Sequence, residues 1–315
     1  MDPMVNNMTT YYEHTPVMLQ ECIEHLITDP NGSYIDATLG GGGHTLAILD
    51  KLGPQARVFG VDQDQEAIDA ASQRIGEDPR CTILKGNFGY LSTLLPPPFK
   101  GQVAGILLDL GVSTHQLKEA DRGFSFQQEG PLDMRMGTYT GLTAYDVVNT
   151  YDYERLRDLI FHYGEERGSR KIAQSIIDAR PIESTQELST IISEQVPPKF
   201  RIKSLARVFQ AIRIEVNQEL EVLKQVLQQG LELLAPGGRM VVMSYHSLED
   251  RLVKNFMKSG NFEGIIEKDF YGNPVCPLTP INRQVITPND QEIDRNPASR
   301  SAKLRVAEKV GDPGS

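Results

Sequence analysis

The stretch "YIDATLGGGGHTLAILDKLG", residues 34–53, sets four consecutive glycines, Gly40 to Gly43, between an apolar run and an amphipathic one. A strand ending in an acid, a turn without side chains and an immediate helix are the parts of a nucleotide-binding βα turn. The spelling is not that of a dinucleotide site, however. A G-x-G-x-x-G pattern built on Gly40 and Gly42 requires a third glycine at position 45, which is Thr45.

Four residues before Gly40 stands Asp36, giving D-x-x-x-G-x-G. A carboxylate at the end of the first strand repels a phosphate and suits a cation. S-adenosylmethionine carries an ammonium group, a sulfonium and no phosphate, so its aminoacyl end can lie over this turn with Asp36 holding the amine. The next strand, "RVFGVD", ends in Asp62, 20 residues after Gly42, where a carboxylate can take both ribose hydroxyls. That second acid is common to dinucleotide and S-adenosylmethionine folds.

Outward from the turn, strands and helices alternate. Met18, Leu19, Cys22, Ile23 and Leu26 recur at helical spacing after Pro16, which predicts a helix with proline in its first turn. "DQEAIDAASQRI" reads as a helix with Asp64 as its N-cap, and "CTILKGNF" and "VAGILLDLG" as strands three and four. Near-continuous apolar strands separated by helices indicate a parallel sheet covered on both faces. The rhythm stops near Ser113, and residues 114–205 carry helical patterns only. A long helix from about Leu205 to Leu234 then meets "PGG". "RMVVMSYHS" reads as a fifth buried strand, followed by a helix with Ser247 as N-cap and Asp250 completing a capping box. The tail "RSAKLRVAEK" alternates like a late antiparallel strand. The expected organisation is a discontinuous core of 1–113 and 206–315 with a mostly helical insertion over 114–205.

The 315 residues include 39% hydrophobic and 23% charged, as in an ordinary soluble protein. No apolar run approaches the roughly 20 residues that span a bilayer. "MDPMVNNMTTYYEH" lacks the marks of a signal or transit peptide, so a cytoplasmic location and no membrane partner are expected. Cys22, Cys81 and Cys276 are scattered without a CxxC pair, which predicts neither a disulfide framework nor a bound metal. The net charge of −10 argues against a general polyanion binder. Charge is uneven, however: between Arg167 and Arg213 nine Lys/Arg face four Asp/Glu, and between Arg295 and Lys309 five face one. Such local basic surfaces can engage phosphates.

Several segments together resemble one family, the bacterial methyltransferases that modify N4 of a cytidine in the decoding region of 16S ribosomal RNA. They are "HTPVMLQE" (14–21), "YIDATLGGGGH" (34–44), "GILLDLGVSTHQL" (105–117), "RGFSFQQEGPLDMRM" (122–136), "YGEER" (163–167), "FQAIRIEVNQEL" (209–220), "SYHSLEDR" (244–251) and "SRSAKLR" (299–305). They run in family order over nearly the whole chain. The resemblance implies a Rossmann-like, class I S-adenosylmethionine-dependent core with a seven-stranded, mostly parallel sheet and a helical inserted domain. It implies Gly42, Gly43 and His44 at the cofactor, Asp62 on its ribose and Phe88 beside its adenine, with Asp109 and Gln116 after the fourth strand. The implied partner is 16S rRNA or the small ribosomal subunit; the sequence does not decide between monomer and homodimer. Two places depart from the family pattern: Ser204-Leu205-Ala206-Arg207 before "FQA", and Gly137 after "DMRM".

Methylating an exocyclic amine needs no covalent enzyme intermediate. It needs an acceptor for the NH2 group and in-line placement of an extruded base. Asp109, at the end of strand four, is the first candidate for orienting the amine or the sulfonium. Ser113 offers a polar contact or a loop cap. Tyr245 and His246, after strand five, can stack on or bond to the base, and His14 can close over it. Asn217 contacts substrate or satisfies neighbouring backbone. For RNA the candidates are Arg122, Arg135, Arg207, Arg213, Arg300 and Arg305, each with a surface ion pair as the competing reading. Phe124 and Phe126 read better as core than as stacking platforms.

Three other functions compete. An NAD-dependent oxidoreductase keeps Asp62 but lacks the third glycine. A cytosine C5-methyltransferase needs a thiolate, for which Cys276 in "NPVCPLTP" stands too late in the chain. A non-catalytic rRNA-binding assembly factor would not need the acids and glycines of the turn.

Overall fold

A computed structural model describes residues 16–97, 99–137, 141–282 and 284–311, with the backbone alone at Thr114. The chain divides into two compact units, one of residues up to Gly111 and from Glu221 onward, the other Val112–Leu220.

The first unit carries β1 (Ser33–Asp36), β2 (Arg57–Asp62), β3 (Cys81–Lys85), β4 (Val103–Asp109) and β5 (Leu234–Ser244). A two-residue pair, β6 (Glu267–Lys268) and β7 (Pro274–Val275), follows, then β8 (Leu278–Pro280) and β9 (Lys303–Lys309). The main sheet has seven strands in the order β3-β2-β1-β4-β5-β9-β8. β1 to β5 pair in parallel and β9 runs antiparallel to β5, as the alternating tail predicts. Successive strand residues are buried on opposite faces. Ile35, Ile106 and Leu108 join one hydrophobic cluster, while Tyr34 and Leu107 join the other. Burial on both faces explains why the strands read as continuous apolar runs. The strand order reverses between β1 and β4, which opens a crevice at their carboxyl ends.

Helices α1 (Leu19–Leu26), α2 (Gly43–Lys51) and α3 (Gln65–Ile75) belong to this unit. Asp64 caps α3 as expected, accepting from the Glu66 amide at 3.2 Å. α1 starts two residues later than the proline spacing suggests, behind a left-handed Met18, so Pro16 precedes the helix. After the short α4 (Leu91–Leu94) and then β4 the chain enters the second unit.

That unit is helical: α5 (Thr114–Lys118), α6 (Ala144–Thr150), α7 (Tyr153–His162), α8 (Ser169–Asp178), α9 (Thr185–Glu194) and α10 (Arg201–Asn217). Its core is separate and includes Leu156, Ile160, Ile172, Leu188, Val208 and Ile212. Phe124 is buried there, and Phe126 packs edge-on to Phe209 at 5.7 Å, so both are core residues. α10 buries its apolar face in this core, which carries the unit to Leu220 and not to 205.

The single helix expected over 205–234 is two. α10 closes at Gln218, a left-handed residue (φ 51°), and α11 (Glu219–Leu233) starts anew. No Gly or Pro marks the break, which explains why periodicity reads through it. "APGG" belongs to the start of β5, and α12 (Ser247–Ser259) and α13 (Asp290–Arg295) complete the first unit. Among the described residues no helix is long and apolar enough to cross a membrane.

Candidate functional site

At the β1–α2 turn the glycines have different reasons to be there. Gly40 (φ 49°) and Gly42 (φ 74°) take left-handed conformations that disfavour any side chain. A Cβ on Gly42 would come within 3.1 Å of the Ala71 Cβ, and one on Gly43 would collide with Pro16. At these two positions neighbouring protein demands the glycine. At Gly40 the space is open, with the nearest atom 3.9 Å from a built Cβ. α2 starts behind Gly42, which has no side chain to cap it; the Asp36 carboxylate instead accepts the backbone amide of Thr45 in the helix's first turn.

Three acids end adjacent strands around this turn. Asp62 at the end of β2 accepts the Gly40 amide at 2.9 Å through Oδ2 and the Asp64 amide at 2.9 Å through Oδ1. Half-buried beside the open side of the turn, it is the acid best placed to meet a ligand. Asp36 at the end of β1 differs from expectation. It is fully buried, its Oδ2 takes the Thr45 hydroxyl at 2.7 Å, and its Oδ1 takes the Thr38 amide at 3.3 Å. It braces the turn and contributes charge at a distance; direct contact with an amine is excluded. Thr45, the residue that breaks the dinucleotide spelling, is its partner.

Asp109 ends β4 with its side chain 23% exposed. Its Oδ1 accepts the Tyr245 hydroxyl at 2.7 Å, and its Oδ2 lies 4.0 Å from His44 Nδ1. The buried His44 has Nε2 3.3 Å from the Val17 carbonyl, which favours the Nε2–H tautomer and leaves Nδ1 facing Asp109. Burial lowers the pKa of His44, so the ring is held neutral. Burial raises all three acids to about 6, against hydrogen bonds at Asp36 and Asp62 and, at Asp109, against the neighbouring His44 and then the Tyr245 hydrogen bond. Burial and then the Asp109 charge raise the Tyr245 phenol well above its ordinary value, so it stays a donor. Phe88 opens a 3-10 turn after β3, half-buried against the core and capped by Asn87, whose side chain reaches Gln63 just past Asp62.

Other predicted residues have structural employment. His246, not Ser247, caps α12: Glu249 Oε2 accepts the His246 amide at 3.3 Å, and Nδ1 faces the Glu249 amide at 3.5 Å. Its Nε2 lies 3.1 Å from Glu249 Oε1 without hydrogen-bond alignment. Asp250, expected in that box, pairs with Lys303 and Arg305. An imidazole is an unusual cap, and Ser247 is the conventional letter, which hid it. In the second unit Ser113 and Gln116 form a reciprocal capping box for α5, each bonding the other's amide at 3.1 Å. Asn217 bonds Met134 and Arg213 carbonyls and the Met136 amide, so it serves the backbone. His14 lies outside the described residues.

Five of the six predicted RNA-binding arginines are engaged internally. Arg122 donates to the Arg135 and Met136 carbonyls, Arg135 pairs with Asp133 at 2.7 Å and Arg207 with Glu166 at 3.5 Å. Arg213 chelates Glu219 at 2.7 and 2.8 Å, and Arg305 holds Asp250 at 2.7 Å. Arg300 is exposed and makes no ion pair among the described residues. Cys276 packs half-buried against the core with its Sγ 3.9 Å from the Met257 carbonyl.

Residues 11–310 match the model of the MraW methylase family. The chain is 50% identical over 309 residues to the ribosomal RNA small subunit methyltransferase H of Bacteroides fragilis, covering 97% of this chain and all of that one. It is 47% identical over 310 residues to the protein of the same name from Amoebophilus asiaticus, covering 98% and 99%. The chain belongs to the MraW methylase family, and it is an S-adenosylmethionine-dependent methyltransferase of Rossmann-like fold.

Proposed function

We propose that this member of the MraW methylase family transfers a methyl group from S-adenosylmethionine to the exocyclic N4 amine of a cytidine in the decoding region of small-subunit ribosomal RNA. The observation that carries the reading is the set of three carboxylates, Asp36, Asp62 and Asp109, ending neighbouring strands around one open glycine turn. Burial holds all three above their ordinary value, so a cation among them offsets the cost of their ionisation. The group fits a zwitterionic sulfonium. Asp62 would take the ribose hydroxyls, Phe88 would flank the adenine, and the open glycine turn at Gly40 would take the aminoacyl end. Gly42, Gly43 and His44 shape that wall, and Asp36 braces it. When bound, S-adenosylmethionine supplies an electrophilic methyl on sulfur.

The chain's own chemistry centres on Asp109. An amine needs an acceptor that removes electron density from neither nitrogen nor ring, and a carboxylate oxygen provides one. Tyr245 occupies Oδ1 and orients the group, which leaves Oδ2 for the N4 hydrogen. With its pKa raised to about 6, Asp109 can also take the proton released after transfer. Neutral His44 behind it adds no charge that would compete with a cation. A thiolate route to ring carbon finds no support here, since the ends of β4 and β5 carry an acid and a phenol. Labelled methyl from S-adenosylmethionine, incubated with naked rRNA and with assembled small subunits, tests the reading after digestion to nucleosides. N4-methylcytidine is expected; label on ring carbon, or none with either substrate, overturns it.

A further inference from the structure

Arginines tied to internal acids cannot account for the positive charge of the inserted unit's outer surface. Six exposed cations without an ion pair among the described residues lie on two adjoining segments. Over "VPPKFRIK" (196–203), Lys199, Phe200, Arg201, Ile202 and Lys203 are all exposed, Phe200 by 49% and Ile202 by 72%. Arg167, Arg170 and Lys171 are exposed at the start of α8. Buried Glu166 fastens the segments together: one oxygen takes the Gly168 amide at 2.8 Å and the other the Ser204 hydroxyl at 2.8 Å. Arg207, 3.5 Å away, offsets its charge.

None of the six cations makes an ion pair among the described residues. Lys199 lies over the Phe200 ring at 4.8 Å, and Arg201 Nε donates to the Ser193 carbonyl at 3.0 Å. The flanking exposed acids are Glu165 and Glu194. On a chain of net charge −10, an exposed ring and a bare isoleucine among unpaired cations need a polyanion that also has apolar faces. Unpaired nucleic acid has both, because its bases are free to stack while its phosphates follow the cations; a duplex hides its bases.

We propose that this face docks an unpaired stretch of the RNA substrate, with a base stacked on Phe200 and phosphates along Lys199, Arg201, Lys203, Arg167, Arg170 and Lys171. The inference deepens the proposed function, which supplies RNA as the substrate. The test uses the full chain and a labelled unpaired RNA of about 15 nucleotides. The same sequence as a duplex and vesicles of anionic lipid serve as competing probes.

Phe200→Ala is expected to weaken unpaired-RNA binding on the order of 5- to 100-fold, and Phe200→Tyr to keep it. The triple change Lys199→Gln, Arg201→Gln and Lys203→Gln should flatten the slope of log affinity against log salt by about 2, at roughly 0.7 per phosphate. Melting temperature and S-adenosylmethionine affinity should stay at wild-type values in both variants. Wild-type RNA affinity and salt slope in the variants overturn the proposal, as do equal binding of the duplex or binding of vesicles in place of RNA. If the variants behave as expected while wild type transfers no methyl to RNA, the face stands and the methylation reading fails. Unchanged RNA binding with intact transfer removes the face alone.

Discussion

The two units present charge in opposite ways. In the first, the functional groups are acids at the ends of parallel strands, buried and fixed by backbone amides, as Asp62 is by Gly40 and Asp64. In the second, they are cations, some held by acids, as Arg135, Arg155, Arg207 and Arg213 are, with others exposed on one face without an ion pair among the described residues. The buried set is poised for a single small cation whose binding relieves a local cost. The exposed set is poised for an extended anion, through many weak and salt-sensitive contacts. A residue in the first set should matter individually; in the second, effects should add.

The sharpest way to break that contrast is Asp109→Ala. It should lower turnover by about 100- to 1000-fold, the scale for losing a group aimed at reacting atoms, with a smaller change in cofactor affinity. Single-turnover methyl transfer measures the first and calorimetry the second. Next, Asp62→Ala should weaken S-adenosylmethionine about 10- to 100-fold, as expected when hydrogen bonds to a charged group are lost. Wild-type values from both would remove the site.

The pH dependence comes third. Asp36, Asp62 and Asp109 titrate near 6 in the folded protein, above their ordinary value of 3.8. Between those values the folded chain holds protons that the unfolded chain has released. Their contribution to stability is therefore present at low pH and lost as pH rises through 6. A bound cation favours the ionised acids and reverses that trend. The rise in Tm caused by S-adenosylmethionine should grow from pH 5 to pH 8, by an amount on the order of a few degrees. A rise that shrinks over this range would contradict the charge argument. The smallest effect should come from His246→Ala, which removes a cap worth about 1 kcal/mol while leaving methyl transfer within a few-fold. A large loss of turnover without loss of stability would return His246 to the reaction.

Legibility in the sequence follows the same division. The turn, Asp62, Asp109 and the parallel strands are readable because strand ends and left-handed glycines tie residue type to position. What Asp36 does was not readable: its partner Thr45 lies nine residues on, and only the fold shows the carboxylate enclosed. The break at Gln218 carries no Gly or Pro to announce it. His246 as a cap stood beside a serine that conventional preference selects. Among the arginines, charge counting reads the basic segments, but long side chains find acids that sequence cannot pair, as Arg305 finds Asp250. Residue type alone therefore points to arginines of which all but Arg300 are internally bound, and not to the exposed cations at Lys199–Lys203.

The central claim is that burial-raised carboxylates await a cation at the ends of β1, β2 and β4. It is tested most directly by calorimetric titration of S-adenosylmethionine at pH 6 in buffers of different ionisation enthalpy. The account predicts net proton release on binding, reduced in Asp62→Asn. Binding with no proton exchange, or with uptake, would contradict it.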